Sequence, residues 1–298
     1  MAKVLAVVVT YQPDKVLLSK LMQALAPQVA GGIVVNNGQN LPLPDTFVDQ
    51  AGFAVRHMIT NVGVATALNV GFQWAQAQAA EFVITFDQDS EPAPDMVSCL
   101  VDAYQTLVAS GHNVGAVGPQ QIDSRTGHLS PFISPISLLR RKVIPANGEC
   151  LAVDHLITSG CLVPMHVWAM AGRFLDELFI DYVDIEWSLR LRRQGWQLFG
   201  VGNAKLMHAI GDDVTSWRGR QILQHTPLRH YFMFRNGIYL QSLSHISFGW
   251  KLADAFQLFK KMLLFILAGH PRCTHFRAML RGLRDGWQKH MGQPWGQP

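Results

Sequence analysis

From its N-terminus the chain switches between two hydrophobic periods. Val4–Val9 is an unbroken, valine-rich apolar run, as expected of a strand buried on both faces. Lys15–Leu25 carries Val16, Leu17, Leu21 and Leu25 at helical spacing. Gly32–Asn36 is a second short strand, closed by the turn dipeptide Asn37-Gly38. Val55–Ile59 reads as a third strand and the alanine-rich Gly63–Ala79 as a helix. Glu81–Phe86 is a strand, Met96–Ala109 a helix and Val114–Val117 a strand. This alternation predicts an α/β fold, a mostly parallel sheet with helices on both faces.

Gln121–Cys150 breaks the pattern, with Pro131, Pro135 and Pro145 among many polar residues. A long surface excursion of this kind is either a lid or an acceptor-binding loop. Order returns with a strand over Leu156–Pro164, a short amphipathic helix over Asp184–Gln194 and a strand over Trp196–Val201. Beyond His225 the chain is helical, aromatic and increasingly basic. The expected division is a catalytic unit at 1–240 and a basic helical extension at 241–298.

The charge changes the picture only at that end. Net charge is +4, yet from Lys251 onward eight Lys or Arg face two acids, Asp254 and Asp285. A basic tail points to an anionic partner, membrane lipid or nucleic acid, and the chain carries no nucleic-acid motif. In Ala255–Ala268, Phe256, Phe259, Leu263, Leu264 and Leu267 fall near one helical face beside Lys260 and Lys261. Such a helix either lies in an anionic membrane surface or packs on the catalytic unit. No stretch reaches the roughly 18–20 apolar residues that span a bilayer. The first apolar run lacks a small-residue cleavage site and reads as a buried strand. Four scattered cysteines without a C-x-x-C pair exclude a disulfide framework or zinc cage and fit a reducing cytoplasm. With 49% apolar residues the chain can bury a sizeable core.

In an open α/β sheet, ligands sit beyond the carboxyl ends of the strands. The strand Glu81–Phe86 ends in Asp87-Gln88-Asp89-Ser90. Two carboxylates at i and i+2 repel each other unless a divalent cation with oxygen ligands, Mg²⁺ or Mn²⁺, lies between them. The same tripeptide also suits a plain solvated turn. Around it stand Val9-Thr10-Tyr11-Gln12-Pro13, Val35-Asn36-Asn37-Gly38, the Asn61–Gly71 segment, Ser159-Gly160-Cys161 and Asp181-Tyr182-Val183-Asp184-Ile185-Glu186-Trp187. Taken in order, these resemble the inverting family-two glycosyltransferases with the GT-A (Rossmann-like) fold. Phe86–Ser90, Val183–Trp187 and the segment from His225-Thr226-Pro227-Leu228-Arg229 to Arg235-Asn236 resemble the bacterial rhamnosyltransferase branch. The resemblance covers roughly residues 3 to 240.

The resemblance implies that Asp89 ligates Mg²⁺ or Mn²⁺ and that Asp87 reaches the ribose or the metal. It places Thr10 and Tyr11 against the base of a nucleotide-sugar. Asn36 stands where the family usually has an aspartate that bonds the base, and an amide can still do so. Asp184 matches the catalytic base, although a carboxylate at a helix start is also a plain N-cap. Glu186 is expected to orient the acceptor or its loop, and Arg190 to pair with it at i+4. His208 matches a histidine near the metal and diphosphate, or is structural. Arg229 and Arg235 either clamp phosphate oxygens or cap helices at the surface. The implied reaction moves L-rhamnose from dTDP-L-rhamnose to a glycan or lipid-linked oligosaccharide, at the cytoplasmic face of the membrane, in O-antigen or capsule synthesis. Competing readings are the same enzyme with a UDP-sugar, a nucleotidyltransferase, and a non-catalytic nucleotide or anion binder. The nucleotidyltransferase lacks its Gly-rich basic loop after the first strand, and the intact Asp87, Asp89 and Asp184 argue against the binder.

Overall fold

Strand β1 (Val4–Thr10) turns successive side chains to opposite faces of its sheet. Leu5, Val7 and Val9 enter one core, and Val4, Ala6 and Val8 enter the other. Helices seal both cores, so the strand has no polar face, which is why its sequence does not alternate. The computed structural model describes residues 2–38, 41–42, 44–135, 141–208, 213–217, 220–224, 226–268 and 272–293.

After β1 come α1 (Lys15–Leu25), β2 (Gly32–Asn36), α2 (Asp45–Gln50), β3 (Phe53–His57), α3 (Val64–Ala77), β4 (Phe82–Asp87), β5 (Ser90–Pro92) and α4 (Met96–Ala109). Then follow β6 (Val114–Asp123), β7 (Phe132–Ile133), β8 (Lys142–Val143), β9 (Cys150–Ala152), β10 (Leu162–Pro164), α5 (Met165–Ala171), α6 (Val183–Arg193) and β11 (Gln197–His208). The chain continues with β12 (Asp213–Trp217), β13 (Arg220–Gln224), α7 (Pro227–Gln241), α8 (Phe248–Ala268) and α9 (Arg272–Trp287). The main sheet runs β3-β2-β1-β4-β10-β6-β11-β5, with β9 also on β11. Strands β3, β2, β1 and β4 are parallel, as are β6 and β11, while β10 is antiparallel to both its neighbours. The expected mostly parallel α/β sheet is therefore present, with β10 reversed at its centre and β5 and β9 antiparallel on β11.

Helix starts follow local chemistry. Asp14 accepts hydrogen bonds from the Val16 and Leu17 amides at 2.8 and 3.0 Å, and Thr226 caps α7 ahead of Pro227. Gly63 precedes α3 with φ +84°, and a Cβ there would stand 2.6 Å from the Phe179 carbonyl oxygen. Only glycine fits that junction.

Two strand readings change. Leu156–Pro164 forms a strand only at Leu162–Pro164: Gly160, with φ +80°, turns the chain, and it and Cys161 bond the backbone of Thr85 in β4 just ahead of the ladder. Strand β6 runs on past Val117 to Asp123 because buried Gln120 and Gln121 find carbonyl partners on Ser130 and Ser159. The excursion at 121–150 carries the β7–β8 pair, pinned by Arg192 on the Pro135 carbonyl; its residues 136–140, like His225, lie outside the described residues.

The C-terminal helices belong to the same core. Ile246, Trp250, Leu258, Phe265 and Met279 join the cluster that includes α3 and α6. The opposite face of α8 is open: Phe248, Leu252, Phe256, Phe259 and Leu263 are 43–80% exposed. The helix thus packs on the body, as one of the two sequence readings expects, and its other face carries an exposed apolar stripe. Among the described residues no helix is long and apolar enough to cross a membrane.

Candidate active site

The parallel strands set their carboxyl ends in one row. Thr10 pairs with Asn36, Asn36 with His57, and Val9 with Asp87. Thr10 donates its hydroxyl proton to Asn36 Oδ1 at 3.2 Å, and Asn36 Nδ2 lies 3.2 Å from His57 Nδ1. Thr10 and Asn36 are fully buried. The expected base contact through the Asn36 amide is therefore corrected: both ends of that amide are used inside the wall, holding the end of β3. Tyr11 lies beyond the row, 48% exposed, with its backbone amide donating to Gln88 Oε1 at 2.7 Å. Behind this edge, Asn37 bonds Asn61 and the Val62 amide, tying β2 to the start of α3.

Strand β4 delivers Asp87 to the same edge, and the turn through Gln88 and Asp89 leads into β5. Asp87, Gln88 and Asp89 are half-buried. Ser159 steadies the turn: its hydroxyl meets that of Ser90 and accepts from the Asp87 amide at 3.4 Å. Strand β5 pairs antiparallel with β11, which puts the backbone of His208 opposite Ser90. The His208 side chain lies outside those described. Two carboxylates on one turn are hard oxygen donors of the kind that suits Mg²⁺ or Mn²⁺. Among the described residues no three His, Cys, Asp or Glu side chains gather at metal-ligand spacing.

Asp184 stands at the second position of α6 and lines a cavity of about 20 Å³ with Thr85, Thr158, Cys161, Trp187 and Ser188. It is not the helix cap. That place belongs to Tyr182, with φ +64° and no capping bond from its side chain, whereas Asp184 Oδ1 accepts from the Ile185 amide at 2.8 Å. Burial pushes the Asp184 carboxyl above the ordinary range, and the charge of Asp181 adds to this. His155 and the Ile185 amide pull the other way. The Cys161 thiol beside it is pushed up to about 12 by burial and by Asp184, so it stays protonated. A carboxylate raised in this way is suited to taking a proton near neutral pH.

Other expected site residues fall elsewhere. Glu186 is fully buried; Arg190 closes on it through Nε at 3.0 Å and Nη2 at 2.9 Å, and His245 Nε2 lies 2.9 Å away. The pairing with Arg190 is as expected, but a carboxylate so enclosed faces no acceptor. Arg235 is also fully buried, donating to the carbonyls of Glu177, Leu178 and Gly292 and to Asn236 Oδ1. It neither caps a helix at the surface nor reaches a phosphate. Arg229 does stand by the site, with Nε 3.4 Å from Asp181 Oδ1 and its side chain 36% exposed. The sequence gives no role to His57, Gln88, His155 or Asn236. His57 is hidden inside an expected strand, Gln88 and Asn236 stand within the resembling motifs without an assigned contact, and His155 has no spacing that marks it.

Comparison with known proteins gives the family and the fold. Residues 7–149 match the profile of Glycosyl transferase family 2. The dTDP-rhamnosyl transferase RfbF of Shigella flexneri is 32% identical over 250 residues, 82% of either chain. The structure of S. aureus TarS 1–349 in complex with UDP-GlcNAc superposes on 96% of this chain and 81% of its own, with a TM-score of 0.59 and 14% identity. That of GalNAc-T7 with UDP, GalNAc and Mn²⁺ matches 90% of this chain, with a TM-score of 0.56 and 13% identity. This chain spans 58% of the GalNAc-T7 chain, less than two thirds. At such identities the two structures speak for the fold alone. The sequence relationship to RfbF goes further, and by it the chain belongs to glycosyl transferase family 2 and is a glycosyltransferase.

Proposed function

We propose that the chain is an inverting rhamnosyltransferase that moves L-rhamnose from dTDP-L-rhamnose to a hydroxyl of a lipid-linked glycan, in building a cell-surface polysaccharide such as an O-antigen. The observation that carries the chemistry is Asp184: one carboxylate, raised by burial, in a cavity bordered by the loop that braces the Asp87–Asp89 turn. The acceptor oxygen attacks the anomeric carbon from the face opposite the diphosphate, and Asp184 takes its proton. The bond from that carbon to the diphosphate oxygen breaks, and dTDP leaves with the electron pair. No covalent intermediate is required, so the anomeric configuration inverts. General-base help of this kind is worth about 10²–10⁴-fold.

Tyr11 is the residue we assign to the face of the base, and Asp87 to the ribose. Asp89, with Asp87 and His208, would hold Mg²⁺ or Mn²⁺. When bound there, the metal supplies positive charge to the leaving diphosphate. Arg229, beside Asp181, adds a guanidinium on the same side. The rhamnosyl donor is supported by the identity shared with a protein described as a dTDP-rhamnosyl transferase.

The division of labour we propose follows the chain. Residues 1–240 carry the transfer. Residues 241–298 complete the core and turn the apolar stripe of α8, with Lys251, Lys260 and Lys261, toward the anionic inner face of the cytoplasmic membrane. Calorimetric titration with dTDP, dTDP-L-rhamnose, UDP and UDP-sugars, each with and without Mn²⁺, tests the donor. Metal-dependent preference for the dTDP compounds is expected. Preference for UDP overturns the donor, and no nucleotide binding overturns the enzyme.

A further inference from the structure

The loop that leads into α6 has an unusual backbone. Phe179, Asp181 and Tyr182, none of them glycine, have φ values of +65°, +61° and +64°. Such a conformation is costly for a residue with a side chain and persists only where its surroundings over-determine it. Here the surroundings are explicit. Asn236 Nδ2 donates to the carbonyls of Leu178 at 2.8 Å, Ile180 at 2.7 Å and Asp181 at 2.9 Å. Arg235 Nη2 donates to the carbonyls of Glu177 at 3.2 Å and Leu178 at 3.0 Å. Its guanidinium lies 4.8 Å from the centre of the Phe232 ring, which stacks on Phe179. From the other side the Phe179 carbonyl accepts the Val64 and Ala65 amides at the start of α3, at 2.6 and 3.3 Å. Tyr182 donates its hydroxyl proton to Asp254 on α8 at 3.1 Å.

All this apparatus fixes where α6 begins, and Asp184 is one residue inside that helix. A loop in relaxed conformation would start the helix elsewhere and turn the carboxylate out of its cavity. We infer that Arg235 and Asn236 are positioning residues for the transfer, a buried clamp that holds the 178–182 loop in strain so that Asp184 faces the reacting atoms. The inference rests on the reading of Asp184 as the base. It gives the Arg235-Asn236 pair of α7 a role distinct from phosphate binding, since neither side chain is open to solvent.

The test compares the full chain with Asn236→Ala, Arg235→Lys and Asp184→Asn, each with Mn²⁺. Calorimetry with dTDP gives affinity and stoichiometry, the latter counting folded, competent sites. Hydrolysis of dTDP-L-rhamnose, with water in place of the acceptor, gives the rate per competent site. Hydrogen exchange reports on amides 178–187. In Asn236→Ala we expect dTDP affinity like that of the parent, faster exchange confined to the loop and first turn of α6, and a rate per site lower by about 10²-fold, the scale of a misplacement near 1 Å. Arg235→Lys, which keeps a donor, should fall between; it also carries the test if Asn236→Ala does not fold. A rate per site equal to the parent's, with activity lost only as stoichiometry falls, overturns the inference and leaves the clamp purely structural. If Asp184→Asn hydrolyses at the parent's rate, the base reading fails first. If Asp184→Asn is inactive and the clamp variants are not, the positioning role alone fails.

Discussion

Replacing Arg190 by leucine isolates a buried ionic contact whose cost follows from the structure. Glu186 is fully buried, and its carboxylate is closed by two Arg190 nitrogens and by His245. Arg190 also donates to the carbonyls of Ala171 at 2.6 Å and Arg173 at 2.8 Å, stitching α6 to the end of α5. Removing one partner of a buried pair costs about 3–5 kcal/mol, because the other charge stays behind. The orphaned Ala171 carbonyl adds about 1 kcal/mol. At about 2–4 °C per kcal/mol for a chain of this size, the melting temperature should fall by about 10–20 °C. The loss depends on pH with a definite sign. Burial alone would raise the Glu186 carboxyl, but His245 and Arg190 outweigh it and hold the group below its ordinary value. The stability this provides is therefore present above the unfolded pKa and is lost as pH falls through the folded one. The deficit of Arg190→Leu relative to the parent should be largest near neutrality and shrink in acid. Circular dichroism melts and urea titrations across pH measure both effects. A deficit under about 1 kcal/mol at pH 7, or one that acid does not shrink, refutes the reasoning and reopens Glu186 as a site residue.

Asp184→Asn should lower dTDP release from dTDP-L-rhamnose by about 10²–10⁴-fold while leaving dTDP affinity in place; an undiminished rate removes Asp184 as the base. Because the Asp184 carboxyl is raised and acts ionised, activity should fall in acid along a limb above the ordinary carboxylate range. His155, bonded to Asp154 and acting on Asp184 only through its charge, should move that limb to higher pH when replaced by glutamine, and an unmoved limb contradicts the influence. Asp89→Ala should abolish the Mn²⁺ dependence of dTDP binding measured by calorimetry; persistence of that dependence places the metal elsewhere. Phe256→Glu, at a 59% exposed position, should reduce sedimentation with anionic phospholipid vesicles but not with the neutral lipid alone, and equal sedimentation denies α8 the membrane.

Local sequence determined what local physics controls. The valine run of β1, the period of α1 and α4, and the strand-then-carboxylate ending of β4 were legible because each depends on its own residues and on burial that their pattern declares. The ordered motifs also placed Asp87, Asp89 and Asp184 near the ends of their elements. What the sequence could not decide was the use of polar side chains buried by distant contacts. Asn36 looks like a base-binding amide until Thr10 and His57 are found on both its ends. Arg229 and Arg235 lie six residues apart on one helix and both hold the loop before Asp184, yet one is partly exposed there while the other is locked inside the core. The left-handed residues before α6 carry no glycine to announce them, since their conformation is imposed by Asn236, more than fifty residues onward. Hydrogen-bond partnership and backbone strain of this kind are properties of the packed chain. Hydrophobic period records which face is buried, but not which polar group waits there to meet it.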